Sequence, residues 1–187
     1  MQLVEPKSRT WTRSEYHKMG ELGWFAGQRV ELVEGEIVVM SPQNFGHSRT
    51  VDRVAKLLHE VVGRQFWVRS QLPLALPDGS EPEPDVSVVA GQADDYADHP
   101  TTAILAIEVS DTTLAFDRTR KLRLFAGAGI PHYWIINLVN RTIEVHGQPD
   151  AGSNPPRYAP AIVLTAGDVI AFPGNPTLTW NVGALLG

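Results

Sequence analysis

The sequence predicts an α+β fold, a mixed central β-sheet flanked by a few helices, and three observations predict it. Short β-branched and aromatic runs bounded by turn residues recur from Val30 to Phe172. Only a few stretches carry helical spacing. No internal repeat or low-complexity tract interrupts the pattern. With 187 residues, the length suits one domain over 1–187.

The elements follow in order. Thr12-Arg13-Ser14-Glu15 has the form of a capping box, and Tyr16, Met19 and Leu22 follow at helical spacing up to Gly23. Val30-Glu31-Leu32-Val33 and Glu36-Ile37-Val38-Val39-Met40 flank Glu34-Gly35, a β-hairpin. A helix runs from about His47 to Val62, with Val51, Val54, Leu58 and Val61 on one stripe. Phe66 to Arg69 reads as a strand, and Leu72 to Leu76 as another that Pro73 confines to an edge. Val86-Ser87-Val88-Val89 and Ile104-Leu105-Ala106-Ile107 are strands joined by a polar, acidic connection. An Arg- and Lys-rich helix is expected from about Leu114 to Ala128, stopped by Gly127, Gly129 and Pro131. Tyr133 to Ile136 and Thr142 to Val145 form a hairpin around Asn140-Arg141, and Ile162 to Leu164 and Val169 to Phe172 a terminal one.

Composition narrows the function. A hydrophobic share of 43%, with five Trp and six Phe, supports a real core and excludes a disordered chain. The net charge of −5 argues against a protein that coats nucleic acid, but leaves room for one local basic strip. With no cysteine, disulfides, thiolate zinc sites and cysteine nucleophiles are excluded. Met1 to Lys7 lacks an apolar signal core and no run approaches a membrane span. A cytoplasmic, membrane-free setting is the expectation.

Two acids and a lysine carry the chemistry. Asp85 precedes one apolar strand and Glu108 ends the next. Paired antiparallel, the two strands set Asp85 opposite or diagonal to Glu108, with opposed Cβ atoms about 4.5–5.5 Å apart. Two such carboxylates suit one hard cation. Asp85 reads otherwise as a turn cap after Pro84. Glu108 is harder to place as structural, because a buried carboxylate is costly unless paired or metal-bound. Lys121, four residues after Asp117, reads otherwise as half of a surface ion pair.

These residues, in this order, resemble the Uma-type family of restriction-endonuclease-like proteins within the PD-(D/E)XK nuclease superfamily. The resemblance runs from Tyr16 to about Val145. Its carriers are Val30 to Ile37, Met40-Ser41-Pro42 with His47, Glu83 to Val89, Ile107 to Ser110 with Thr113, Asp117 and Lys121, and Ala128 to Ile136. It implies a restriction-endonuclease-like core with additional β-hairpins and a Mg²⁺-dependent endonuclease acting on DNA, with Mn²⁺ as a substitute. Asp85, Glu108 and the Val109 carbonyl would hold the metal, and Lys121 would act on the phosphate. Ser110 stands where the superfamily consensus has its catalytic lysine, and Lys121 stands where the Uma-type pattern has one.

Glu31 and His47 are secondary candidates that match the same pattern. Glu31 reads otherwise as a solvent-facing hairpin residue, His47 as a core or helix-start histidine. Asp111-Thr112-Thr113 reads equally as an ordinary helix cap or a phosphate-holding helix start. Arg118, Arg120 and Arg123, with Lys121, place four of sixteen basic residues within six positions, the expected docking strip for a nucleic-acid backbone. A homodimer is expected because cutting both strands needs two sites and two-fold dimers are the commonest oligomers. The rival reading is a catalytically silent nuclease-fold module that binds a protein or nucleic-acid partner.

Overall fold

Helix α1 (Arg13–Glu21) opens on the expected capping box: the Thr12 amide donates to the Glu15 carboxylate at 3.0 Å, and the Glu15 amide donates back to the Thr12 hydroxyl. The computed structural model describes residues 8–187, so the reading of Met1 to Lys7 lies outside the described residues. Strands β1 (Arg29–Val33) and β2 (Glu36–Met40) pair antiparallel. Glu34 and Gly35 turn the chain with φ of 52° and 76°, the left-handed pair a two-residue hairpin needs. Helix α2 (Phe45–His59) starts and ends earlier than its apolar stripe suggested. The start is set by Asn44, whose side chain caps the His47 amide at 3.0 Å.

Strands β3 (Phe66–Ser70), β4 (Val86–Ala90) and β5 (Leu105–Ser110) follow. A helical segment then spans residues 114–127. It comprises α3 (Leu114–Phe116), a π-helical turn (Asp117–Lys121) and α4 (Leu122–Gly127). Strands β6 (His132–Asn137), β7 (Thr142–Gly147) and β8 (Ile162–Leu164) complete a six-stranded sheet in the order β3-β4-β5-β6-β7-β8. The pair β5–β6 is parallel and bridged by the 114–127 segment; the other pairs are antiparallel. The sheet is therefore mixed.

Alternation sorts the two faces. Val86, Val88, Ile107, Val109, Trp134 and Ile136 pack with Val51, Val54 and Leu58 of α2. Val89, Ala106, Tyr133 and Ile135 pack with Leu124 and Phe125 of α4 and with Val33 of the first hairpin. Asp85 and Glu108 fall on this second face, at the open end of β4 and β5.

Two expectations fail. Residues 72–76 form no strand, because Pro73 has no amide to donate. The segment's amides are satisfied by loop carbonyls instead: Leu74 by Pro82, Ala75 by Pro100 and Leu76 by Ser80. The terminal hairpin also pairs differently. Strand β8 joins β7, while β9 (Val169–Phe172) pairs with β10 (Asn175–Asn181), which leads into α5 (Val182–Leu186). The pairing slips between Asn175 and Thr179, around Pro176, and that slip hides β10 from any period-two reading.

Candidate active site

Asp85, Glu108, Glu31 and His47 line one cleft, and Lys121, buried behind its wall, pairs with Glu31 and Glu108. Strand β5 presents Glu108 on the face it shares with Asp85, since Val86 pairs with Ile107 in register. The Asp85 amide lies 3.4 Å from Glu108 Oε2, and Asp85 Oδ2 accepts the Val109 amide at 2.9 Å. His47, in the first turn of α2, places Nε2 3.1 Å from the same oxygen. Gln71 donates to Asp85 Oδ1 at 3.3 Å. Burial pushes the Asp85 carboxyl up, but His47, the Val109 amide and Gln71 outweigh it and hold the group below its ordinary value.

Lys121 enters from the helical segment and is only 1% exposed. Its ammonium donates to Glu108 Oε1 at 2.9 Å and lies 2.6 Å from Glu31 Oε2 as an ion pair. Burial disfavours the charged lysine, yet Glu108 and Glu31 more than offset that and raise its pKa. Burial also pushes Glu108 well above the ordinary carboxylate range; Lys121 opposes this, and Asp85, Asp117 and Glu31 add to it. One ammonium thus serves a group of buried acids, and Lys121 keeps its proton.

The alternative readings can now be judged on position. Lys121 makes no surface pair with Asp117, for both are buried. Asp117 Oδ2 instead accepts the hydroxyls of Ser110 and Thr113, each at 2.7 Å. Thr113 therefore spends its hydroxyl on Asp117 and makes no side-chain cap. Glu31 is 2% exposed rather than solvent-facing, because β1 is covered on both sides.

The sequence matches the Uma2 family, described as putative restriction endonuclease, over residues 13–183. The chain belongs to the Uma2 family. Among solved structures, this Uma2 chain is similar to the crystal structure of a putative nuclease belonging to DUF820 from Anabaena variabilis ATCC 29413. The TM-score is 0.73 at 18% identity, over 94% of this chain and 97% of that one. At that identity the likeness speaks for the fold. No curated protein matches the Uma2 chain.

The basic strip is the part of the site that sequence reasoning placed least well. Arg118 is gripped by Glu144 through contacts of 2.7–3.2 Å. Arg120 meets Glu34 at 3.2 Å and Glu36 at 2.8 Å, and Arg123 lies 3.8 Å from Glu34. Their charges are already matched by acids from β1–β2 and β7, so the strip is not a free cationic surface. Arg49, exposed on α2, lies over the Phe45 ring and has no carboxylate within ion-pair reach among the described residues. Gln71 escaped prediction altogether. It holds φ of 52°, and nothing local marks a non-glycine residue for that conformation.

A hard divalent ion fits the Uma2 cleft as a two-carboxylate site. Glu108 Oε2 has only the 3.4 Å contact from the Asp85 amide, and Asp85 Oδ1 only the 3.3 Å bond from Gln71. Both acids line the cleft and keep spare acceptor capacity there. Among the described residues no group of three or more His, Asp or Glu side chains is arranged to hold an ion. A cation such as Mg²⁺ keeps several waters and can be held by one or two carboxylates.

Proposed function

We propose that this chain is a metal-dependent endonuclease that hydrolyses DNA phosphodiester bonds at the Asp85–Glu108 cleft. The observation that carries the reading is the buried Lys121 ammonium, fixed between Glu31 and Glu108 beside Asp85. A buried lysine and several buried acids are costly to place together for stability alone, and perturbed ionisation in a cleft marks a functional site.

Asp85 and Glu108 would hold Mg²⁺, or Mn²⁺ in its place, with the Val109 carbonyl as a further oxygen. Bound there, the ion supplies an acidified water and neutralises phosphate charge. The chain's own residues do the rest. His47, Gln71 and the Val109 amide lock the Asp85 carboxylate in one orientation. Glu108 and Glu31 keep Lys121 protonated, and its ammonium would stabilise the negative charge that builds on the phosphate oxygens. Water adds to phosphorus and gives up a proton, the bond to the sugar oxygen breaks, and that oxygen takes up a proton from solvent and leaves as a hydroxyl.

The backbone would approach across the cleft mouth, where Arg29 lines the wall. Arg118, Arg120 and Arg123 would contribute only after giving up their present partners. A cytoplasmic homodimer remains the proposed form, with one cleft for each strand. No helix among the described residues is long and apolar enough to cross a membrane.

A silent module is the second reading, favoured by Ser110 at the consensus lysine position. Nicking of supercoiled plasmid separates the two. The endonuclease nicks with Mg²⁺ and its Glu108→Ala variant does not. A folded native protein that leaves the plasmid intact with Mg²⁺ and with Mn²⁺ is a silent module.

A further inference from the structure

We infer that Asp117, clasped by Ser110 and Thr113, is a positioning residue whose task is to hold open the π-helical turn that delivers Lys121 to the cleft. The inference rests on the proposed role of Lys121 and adds residues to which that role assigns no part.

Asp117 begins the wide turn and Lys121 ends it. The Leu122 amide donates to the Asp117 carbonyl, five residues back, which is the bond that defines a π turn. Tyr133 of β6 donates its hydroxyl to that same carbonyl at 3.1 Å. The Asp117 side chain is tied to β5 through Ser110 and to the start of the segment through Thr113. Asp117 is thus anchored to two neighbouring strands, through its side chain and through its carbonyl. It is also buried, so water offers these groups little alternative.

The widened turn changes the bearing of everything after it. With regular α spacing, residues 117 and 121 would lie nearly one above the other. Here the turn is one residue wider, and the two side chains dock at successive same-face positions of β5: Asp117 on Ser110, and Lys121 on Glu108, with Glu31 of β1 as its second partner. An isolated π turn is rare and needs support from outside the helix. Ser110 supplies part of it. The residue at the consensus lysine position therefore carries no charge of its own and instead anchors the segment that brings the charge in.

The test combines rate and structure. Asp117→Ala removes the clasp, and Asp117→Asn keeps an oxygen that can accept both hydroxyls. Asp117→Ala is expected to slow single-turnover cleavage by about 10²-fold, the scale of a misplaced group. Asp117→Asn should stay within about tenfold of native, a gap of one 1.4 kcal/mol step at most. In a Lys121→Ala background, Asp117→Ala should cost nothing more, because the two act as one unit. Independently of cleavage, nitrogen-15 NMR of the lysine ammonium should show Lys121 slow to exchange in native protein and fast in Asp117→Ala. Ser110→Ala, which removes only one hydroxyl, should fall between the two and serves if Asp117→Ala does not fold. Additive losses in the double variant, or a Lys121 ammonium as protected in the clasp variants as in native protein, overturn the inference. A native protein that cleaves nothing defeats the nuclease reading instead, and the exchange measurement still decides the clasp.

Discussion

Replacing Lys121 by Met tests the buried charge cluster without reference to activity. The lysine is 1% exposed and contacts two acids that are 2% and 5% exposed, at 2.6 and 2.9 Å. Methionine restores much of the apolar stem, so the cavity is small. What remains is Glu31 and Glu108 with no countercharge. Removing one partner of a buried ion pair costs about 3–5 kcal/mol. At about 2–4 °C per kcal/mol for a domain of this size, Tm should fall by about 6–20 °C. The loss must depend on pH. Glu108, already held high by burial, rises further once Lys121 is gone. A raised acid contributes its stability below the unfolded pKa, about 4.3, and loses it as pH rises through the folded value. The deficit against native protein should therefore be small near pH 4.5 and largest near pH 8. Thermal unfolding followed by circular dichroism at both pH values reads it directly. A deficit under about 2 °C at pH 8, or one of equal size at both pH values, would refute the buried pairing on which that magnitude rests.

Other outcomes follow from the same geometry. Asp85→Asn should lower the Tm of the metal-free protein near neutral pH, whereas Glu108→Gln should leave it equal or higher. The signs differ because Asp85 is held below its ordinary pKa and Glu108 above. The Asp85 contribution is present above about pH 3.9 and is lost as pH falls through its folded value. Mg²⁺ affinity should rise with pH, with proton release on binding, because the ion and the proton compete for Glu108; calorimetry in buffers of different ionisation enthalpy measures both. In the same instrument Asp85→Ala should lose the Mg²⁺ site, and an unchanged isotherm would remove Asp85 from the ligands. Lys121→Ala should slow single-turnover cleavage by about 10²–10³-fold, the cost of one lost transition-state donor, with a far smaller change in metal affinity.

Much of the frame was legible because it depends on local pattern. The first hairpin, the two acid-bearing strands and the β6–β7 hairpin all follow from alternation and turn residues, and the acids' shared face follows from an antiparallel pair in register. The features that failed are decided at long range. The ion pairs that quench Arg118 and Arg120 reach across 26 and up to 86 residues, so a dense basic run looked free when it was not. The Lys121 helix looked continuous because nothing in Asp117 to Lys121 marks a slipped hydrogen bond. The slip goes with anchors on β5 and β6. Glu31 alternates as a surface residue would, and its burial comes from the covering of both faces of β1. Strand β10 was hidden by Pro176 and a register slip.

Single-turnover cleavage of end-labelled DNA in Mg²⁺, by native protein beside Asp85→Asn, Glu108→Gln and Arg120→Ala, tests the central claim most directly. The account predicts cleavage by native protein, none by the two cleft variants, and a rate within a few-fold of native for Arg120→Ala at saturating enzyme. Equal cleavage by all four proteins would place the chemistry elsewhere, and cleavage by none would leave a nuclease fold without its reaction.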